Sequence, residues 1–393
     1  MNETIYMPVG EVCSSISDTY REKKNMVTLI NTSDVLEGRV LNHERVPNSN
    51  LKGQFKKTFQ RDDILYSEIR PQNRRFAYVD FSPIDYIAST KLMVIRAKKD
   101  VVSPKYLYYF LKNSSTVAEL QLLAETRSGT FPQITFSEVA NLTIPVPPLA
   151  VQEVIVQTMQ CLEDKTICNE QINDNLEQQA QSYFQELFVD NADPEWAIGT
   201  ISDLGTVVGG STPSKAKPEY YTESGIAWIT PKDLSINKSK FASHGENDIT
   251  ELGLKNSSAV IMPEGTVLFS SRAPIGYIAI AAGEVTTNQG FKSVVPKPEI
   301  GTPFVYFFLK NTLPVIEGMA SGSTFKEVSG STMKNVPAVI PDAETLAKFS
   351  DFCAPIFAQQ RILEEQNQSL ATLRDNLLPK LMSGEIDVSA VQL

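Results

Sequence analysis

The chain has 393 residues, 36 Lys and Arg against 46 Asp and Glu, two His and a formal net charge of −10. That length suggests two or three domains with cores of ordinary size. Four irregularly placed cysteines (Cys13, Cys161, Cys168, Cys353) and only His43 and His244 make neither a disulfide framework nor a metal cluster.

The first residues lack the basic and apolar regions of a signal peptide, and no apolar run approaches the ~18 residues of a membrane span. A cytoplasmic chain with no membrane partner is the expectation. Short β-like pieces follow, Val27–Ile30, Ile64–Tyr66 and Phe76–Val79, separated by polar turns, as in a mixed α/β unit. Between Arg45 and Arg75 lie Lys52, Lys56, Lys57, Arg61, Arg70 and Arg74 against Asp62, Asp63 and Glu68. Such a cluster in loops suits phosphates, because basic side chains release counterions on binding a nucleic-acid backbone; a solvated loop region is the plainer reading. Pro104 opens a helix whose aromatic residues, at helical spacing, belong to a core rather than to a base-stacking surface. The loop Arg127 to Pro132 then precedes a strand at Leu142–Ile144.

From Leu149 to Phe188 the chain contains no Gly and no Pro, which predicts one long helix beginning just after Pro147 and Pro148. Ile155, Met159 and Leu162, then a polar centre (Thr166, Asn169, Asn173), then Leu176, Ala180, Tyr183 and Leu187 recur at steps of four and three, the spacing of a coiled-coil seam. A seam needs a partner, and adding 194 to each position finds one: Phe349, Cys353, Ile356, Gln360, Leu363, Asn367, Leu370, Arg374, Leu377 and Leu381. Thr130 and Phe131 recur as Thr324 and Phe325 at the same offset, and residues 106–113 recur as 304–311 at an offset of 198. The chain is an internal duplication. Its predicted fold class is α+β: two similar mixed α/β units, residues 1–148 and 191–341, separated by two long helices, 149–190 and 342–393, forming an antiparallel coiled coil with a pseudo-two-fold repeat. Asn173 and Asn367 are expected to set register between the helices. Pro355 should kink the last helix, and Pro379 and Gly384 should end it.

In the second unit Gly209 to Pro213 is Gly-rich but lacks the Gly-Lys-Ser/Thr ending of a P-loop. Trp228 to Leu234 places Lys232 beyond a short strand, with Lys238 and Lys240 after it. Pro263 to Ile280 reads as a strand, a turn carrying Ser271 and Arg272, and a return strand. Asn288 to Phe291 reads as a tight turn able to cap a loop or face adenine edges. The net charge conceals a division. Residues 1–150 carry 19 basic against 16 acidic side chains, residues 151–190 carry 1 against 8, residues 191–341 carry 12 against 14, and residues 342–393 carry 4 against 8. Much of the acidity lies in the helices, which leaves the α/β units free to present basic faces.

No zincin, nucleophile-elbow, Walker or Rossmann motif is present, and the one double proline, Pro147-Pro148, lacks the flanking residues of an amino-methyltransferase motif. The stretch Thr143 to Glu153, with Ile172–Leu176 and Ala180–Phe184, resembles the central region of the specificity subunit of type I restriction-modification enzymes. Leu377 to Ile386 is similar to that family's ending, and Trp228–Leu234, Pro263–Ile280 and Asn288–Phe291 look like its target recognition domain pattern. Before Leu65 the pattern is thinner: Thr28 to Val35 keeps the Ile and Asp of the Trp-Ile-x-x-x-Asp-Leu run but not its Trp. The resemblance implies a non-catalytic chain in which each recognition domain reads one half of a split sequence in double-stranded DNA. The helices would act as a ruler, with Ile155, Met159, Leu162, Leu176, Tyr183, Leu187, Phe349, Ile356, Leu363, Leu370, Leu377 and Leu381 packing the pair. Implied partners are adenine methyltransferase (modification) subunits and a restriction/translocase subunit; S-adenosylmethionine, ATP and Mg would be bound there and no cofactor here. Expected DNA-binding side chains are Lys52, Lys56, Lys57, Arg70, Arg74, Arg75, Arg127, Lys232, Ser271, Arg272 and Lys326. A stand-alone DNA-modifying enzyme with unfamiliar motifs and a coiled-coil scaffold are the alternatives.

Overall fold

The computed structural model describes residues 4–49, 53–127, 131–322 and 326–388. It divides into two compact units, Met1–Thr166 with Ser369–Leu393, and Ile167–Gln368. The division falls within both long helices rather than at their ends, so each unit owns a part of each helix.

The duplication is visible in how each unit is tied off. In the first, Ile5–Pro8 pairs antiparallel with Thr143–Val146; in the second, Ala197–Thr200 pairs antiparallel with Pro337–Ile340. The first unit contains an antiparallel sheet in the order Cys13–Ile16, Leu92–Ala97, Ile64–Ser67, Phe76–Tyr78. Its neighbour, Val46–Pro47, Met26–Ile30, Tyr86–Ser89, Phe55–Lys57, has a parallel central pair. The second unit carries a five-stranded sheet, Gly205–Gly209, Lys292–Pro296, Val267–Ser271, Ile275–Ala281, Phe241–Ala242.

Strand alternation builds two cores per unit, because successive side chains point to opposite faces of a sheet. Ile64, Tyr66, Met93 and Ile95 face one cluster, Leu65, Leu92 and Val94 the other. In the second unit Val267, Phe269 and Ile280 face one side, Leu268, Ala279 and Ala281 the opposite one. Strands covered on both faces read as nearly continuous apolar runs, which is why Ile64–Ser67 and Val267–Ser271 are buried along their whole length.

The first long helix spans Leu149–Gln185 and ends in a wide turn, Glu186–Asp190. Its start is anchored by buried Gln152, whose Nε2 donates to Pro147 O at 2.8 Å and whose Oε1 accepts from Ser103 N at 2.8 Å. The second spans Ala343–Ser383. It continues through Pro355 and through Pro379, which does not halt it. Both prolines lie on the exposed face, where the carbonyl each leaves without a donor stays open to water. Gly384, at φ +78°, ends the helix by adopting the left-handed conformation that suits glycine.

The seam serves two purposes. In the first unit Ile155 and Met159, with Leu381, join Tyr106, Leu107 and Tyr109 of the helix Pro104–Lys112 in one core, and Leu162 and Leu377 pack at its margin. In the second, Phe349 and Ile356 join Phe304 and Phe307 of the helix Thr302–Met319, with Leu176, Tyr183 and Leu187 packed alongside. Tyr183 meets Phe349 and Phe352 with ring centroids 6.0 and 4.5 Å apart. Leu363 is buried and Leu370 half-buried. The aromatic helices are thus core, as their spacing suggests, and the helix pair forms one wall of each globular unit.

Polar residues interrupt the seam in the second unit. Asn169 is fully buried and its Nδ2 donates to Asn367 Oδ1 at 2.8 Å and Gln366 Oε1 at 3.3 Å. Asn367 therefore meets Asn169, while Asn173 offers its backbone carbonyl to Gln360 Nε2 at 3.2 Å. Further along, Glu177 accepts from Lys240 Nζ at 2.7 Å, Lys310 Nζ at 2.5 Å and Tyr306 OH at 3.1 Å. Lys240 also donates to Gln360 Oε1 at 2.8 Å and lies 3.5 Å from the Phe357 ring centroid. Burial pushes the Lys240 ammonium down to about 8, against the pull of Glu177. Burial pushes Glu177 up, but the two ammonium groups together outweigh it and hold its carboxyl below the usual range. The first unit repeats the device: Lys112, 198 residues before Lys310, pairs with Glu163, which also accepts from Tyr109 OH at 2.8 Å.

Replacing Asn169 with Ala removes a buried donor and should lower stability by about 1–2 kcal/mol; an unchanged denaturant midpoint would count against a stabilising bond between Asn169 and Asn367. Replacing Glu177 with Gln leaves Lys240 buried without its counter-charge and should cost about 3 kcal/mol. Because the folded-state value of Glu177 lies below its ordinary 4.5, its contribution is complete above that pH and is lost as pH falls through the lowered value. The Gln variant should lack that component in a pH series of melting curves, and identical pH profiles would contradict it.

Candidate nucleic-acid interface

In the second unit the motifs singled out in the sequence meet at one edge. Trp228–Ile229 runs parallel to Thr286–Thr287, and Asn288 N donates to Ile229 O at 3.0 Å. Thr230 caps the short helix Pro231–Ile236 through a reciprocal bond with Asp233, at 2.7 Å from the Thr230 amide. Asn288 Oδ1 accepts from Gly290 N at 2.8 Å, which closes the turn before Lys292. The loop from Gly209 to Pro213 packs onto these pieces: Ser211 N donates to Thr287 O at 2.8 Å and Trp228 Nε1 to Ser211 O at 2.9 Å. A Cβ on Gly210 would lie 2.0 Å from Asn288 O, so the glycine permits close backbone approach rather than cradling a phosphate.

The turn Ser270 to Pro274 stands beside this edge. Ser271 N and Oγ both bond Gly290 O, at 2.7 and 3.0 Å, and Ser271 O accepts from Val328 N at 3.0 Å. The first unit holds the same arrangement at Ser67 to Pro71: Glu68 N donates to Lys91 O at 3.0 Å and Ile134 N to Glu68 O at 2.9 Å. In each turn the residue before proline is a non-glycine at positive φ, Arg70 at +43° and Ala273 at +52°. Backbone strain of this kind persists where surroundings impose it and concentrates at functional sites. One turn carries Arg70, the other Arg272. Asn31 with Asp34 repeats the cap made by Thr230 with Asp233, so the stretch from Thr28 to Val35 is the counterpart of Trp228–Leu234 despite its missing Trp.

The remaining predicted residues separate by environment. Lys56, Arg70 and Lys326 are exposed. Lys232 is exposed and pairs with Glu246 at 2.5 Å; Arg127 pairs with Glu138 at 2.7 Å and steadies the helix Phe136–Asn141. Arg74 donates to Ser114 Oγ at 2.9 Å and Arg75 to Ser33 O at 3.0 Å, leaving both half-buried between loops. Two expectations, for Ser271 and Lys57, need correction. Ser271 is fully buried, with its hydroxyl engaged on Gly290, so it holds the turn instead of facing outward. Lys57 donates to Thr90 O and Leu92 O at 3.1 and 2.8 Å, and burial lowers its pKa. Lys240, which follows Lys232 and Lys238 in the sequence, is buried against Glu177. Lys52, Thr130, Thr324 and Phe325 lie outside the described residues.

Two lysines escaped the sequence reading, Lys91 and Lys292. Each lies in or just after the turn that closes the edge of its unit, and that shared placement was the available signal. Among the described residues no group of three His, Cys, Asp or Glu is placed to hold a metal ion, and no helix is long and apolar enough to cross a membrane. The edge offers exposed cations, backbone turns of fixed shape and amide side chains, which is the chemistry of recognition.

Comparison with known proteins agrees with this duplicated architecture. The family model described as the type I restriction modification DNA specificity domain matches residues 6–178 and again 194–373. The chain is 29% identical to the HindI specificity subunit of Haemophilus influenzae, over 92% of this chain and 94% of that protein. It is 39% identical to the MjaIX specificity subunit of Methanocaldococcus jannaschii, over 47% of this chain and 45% of the relative. Among solved structures, the type I restriction-modification S subunit from M. genitalium shares the fold, with a TM-score of 0.54, 17% identity, and coverage of 97% of this chain and 96% of that one. With two family-model matches that together take in most of its length, the chain belongs to the DNA specificity subunits of type I restriction-modification enzymes.

Proposed function

We propose that each unit reads one half of a two-part duplex DNA site through its Arg-bearing turn, and that the two long helices set the distance between the halves and dock adenine-methylation subunits. The observation that carries this reading is the repeated turn: Ser67 to Pro71 and Ser270 to Pro274 make an equivalent pair of backbone hydrogen bonds, each has a non-glycine residue at positive φ before its proline, and each carries an arginine. Arginine makes bidentate contacts with guanine in the major groove, and a rigid turn fixes its approach. The first helix, 37 residues long, extends about 55 Å at 1.5 Å per residue, ample for one DNA turn of ~34 Å between half-sites. Net negative helices favour protein partners over phosphates. S-adenosylmethionine, ATP and Mg would then be bound by the methylation and restriction/translocase subunits, with this chain supplying the address.

Replacing Arg272 with Ala should weaken binding to the recognised site by about 1–3 kcal/mol and relax preference in one half only. The Arg70→Ala variant should relax the other half; a loss spread over both halves, or none, would remove the turns as readers. The purified chain incubated alone with DNA and labelled S-adenosylmethionine should give no product, whereas methylated DNA would favour an enzyme in its own right.

A further inference from the structure

The second unit's turn carries its own counter-charge. Glu327 Oε2 lies 3.5 Å from Arg272 Nη1 and Glu327 Oε1 lies 3.8 Å from Lys292 Nζ, so one carboxylate is shared by two cations. Both contacts are longer than a direct charge-assisted bond of ~2.8 Å, and Arg272 and Glu327 are 38% and 40% exposed. They orient the arginine without burying it. Glu327 is held in place by its backbone, not by the arginine: its N–H donates to Ser321 O at 2.8 Å, its carbonyl accepts from Ser321 N at 3.1 Å, and the next residue, Val328, bonds Ser271 O. Lys292 is 15% exposed and also donates to Gln289 O at 3.4 Å.

The first unit has a neutral residue at this place. Gln133 precedes Ile134 as Glu327 precedes Val328, and both following amides bond the carbonyl of the turn. Gln133 Oε1 accepts from Lys91 Nζ at 3.1 Å, and the local carboxylate, Glu68, faces the same lysine at 3.4 Å. Among the described residues Arg70 has no ion-pair partner, and its side chain is exposed. The segment charges run the same way, 19 basic against 16 acidic residues in 1–150 and 12 against 14 in 191–341.

We infer that Glu327 is a specificity-determining positioning residue. Its carboxylate occupies, for Arg272 and Lys292, the place a DNA phosphate would take, so the second unit yields its arginine only where base contacts replace that carboxylate. Gln133 imposes no such restraint, and the first unit engages any duplex more readily. The inference rests on the DNA-reading role proposed above, and it assigns the two units unequal shares of the sequence-independent attraction that Lys and Arg exert on phosphates.

The test uses the full chain and a duplex of random sequence, with affinity followed by fluorescence anisotropy from about 50 to 200 mM salt, the range over which phosphate contacts are resolved. Glu327→Gln should tighten this non-specific binding about three- to tenfold at low salt and steepen the slope of log affinity against log salt by about one contact's worth. Gln133→Glu should do the reverse. Circular dichroism confirms folding, and if one variant fails to fold the other decides. Wild-type chain with no salt-dependent DNA binding would overturn the DNA-reading role itself. Wild-type binding that neither variant alters, or that Glu327→Gln weakens, would overturn the role of Glu327 and leave DNA reading intact.

Discussion

The whole chain depends on the burial of one apolar stripe on each of two long helices. A helix of this length with a seam of Ile155, Met159, Leu176 and Tyr183 is not stable in water unless that seam is covered. Here it is covered by more than the partner helix. Ile155 and Met159 pack into the core built by Tyr106 and Tyr109, and Phe349 and Ile356 into the core built by Phe304 and Phe307. Helix and recognition unit therefore share a core, and the orientation of each unit on its stretch of helix is fixed by close packing rather than by a flexible linker.

Buried charge adds direction to that packing. The acidity of the first helix is partly internal: Glu163 receives Lys112 and Glu177 receives Lys310 and Lys240. Apolar packing tolerates sliding, whereas a buried carboxylate that loses its ammonium is severely penalised. Each aromatic helix is thus locked at one position along the long helix. Lys112 and Lys310 stand 198 residues apart, at the offset of the repeated aromatic helices, whereas the carboxylates they meet, Glu163 and Glu177, both lie on the first long helix and are not related by the repeat.

The duplication and the seam were legible because helical periodicity is a long-range pattern that survives in one sequence, and Thr143 and Pro337 open equivalent strands at the same offset of 194 that relates the seams. The aromatic helices were legible as core for the same reason. The fate of single polar side chains was not. Ser271 looks like any turn serine until Gly290 is brought over it by pairing across the sheet, and Lys57 looks like its exposed neighbour Lys56 until the carbonyls of Thr90 and Leu92 arrive from another strand. Lys240 differs from Lys232 in what the two long helices, at Glu177 and Gln360, place beside it. The equivalence of Arg70 and Arg272 was hidden by a one-residue displacement within the turn, and by an offset of 203 between the turns where the helices keep 194.

What remains at the edge of each unit is a rigid turn with an arginine on it, presented twice by one chain. That arrangement suits a reader of two unlike short sequences held at one separation. The most direct measurement is selection of bound duplexes from a randomised library by the chain assembled with its methylation subunits. The expected outcome is two short fixed blocks of different sequence separated by a stretch of constant length and no base preference. A single uninterrupted block, or two blocks at varying separation, would contradict it.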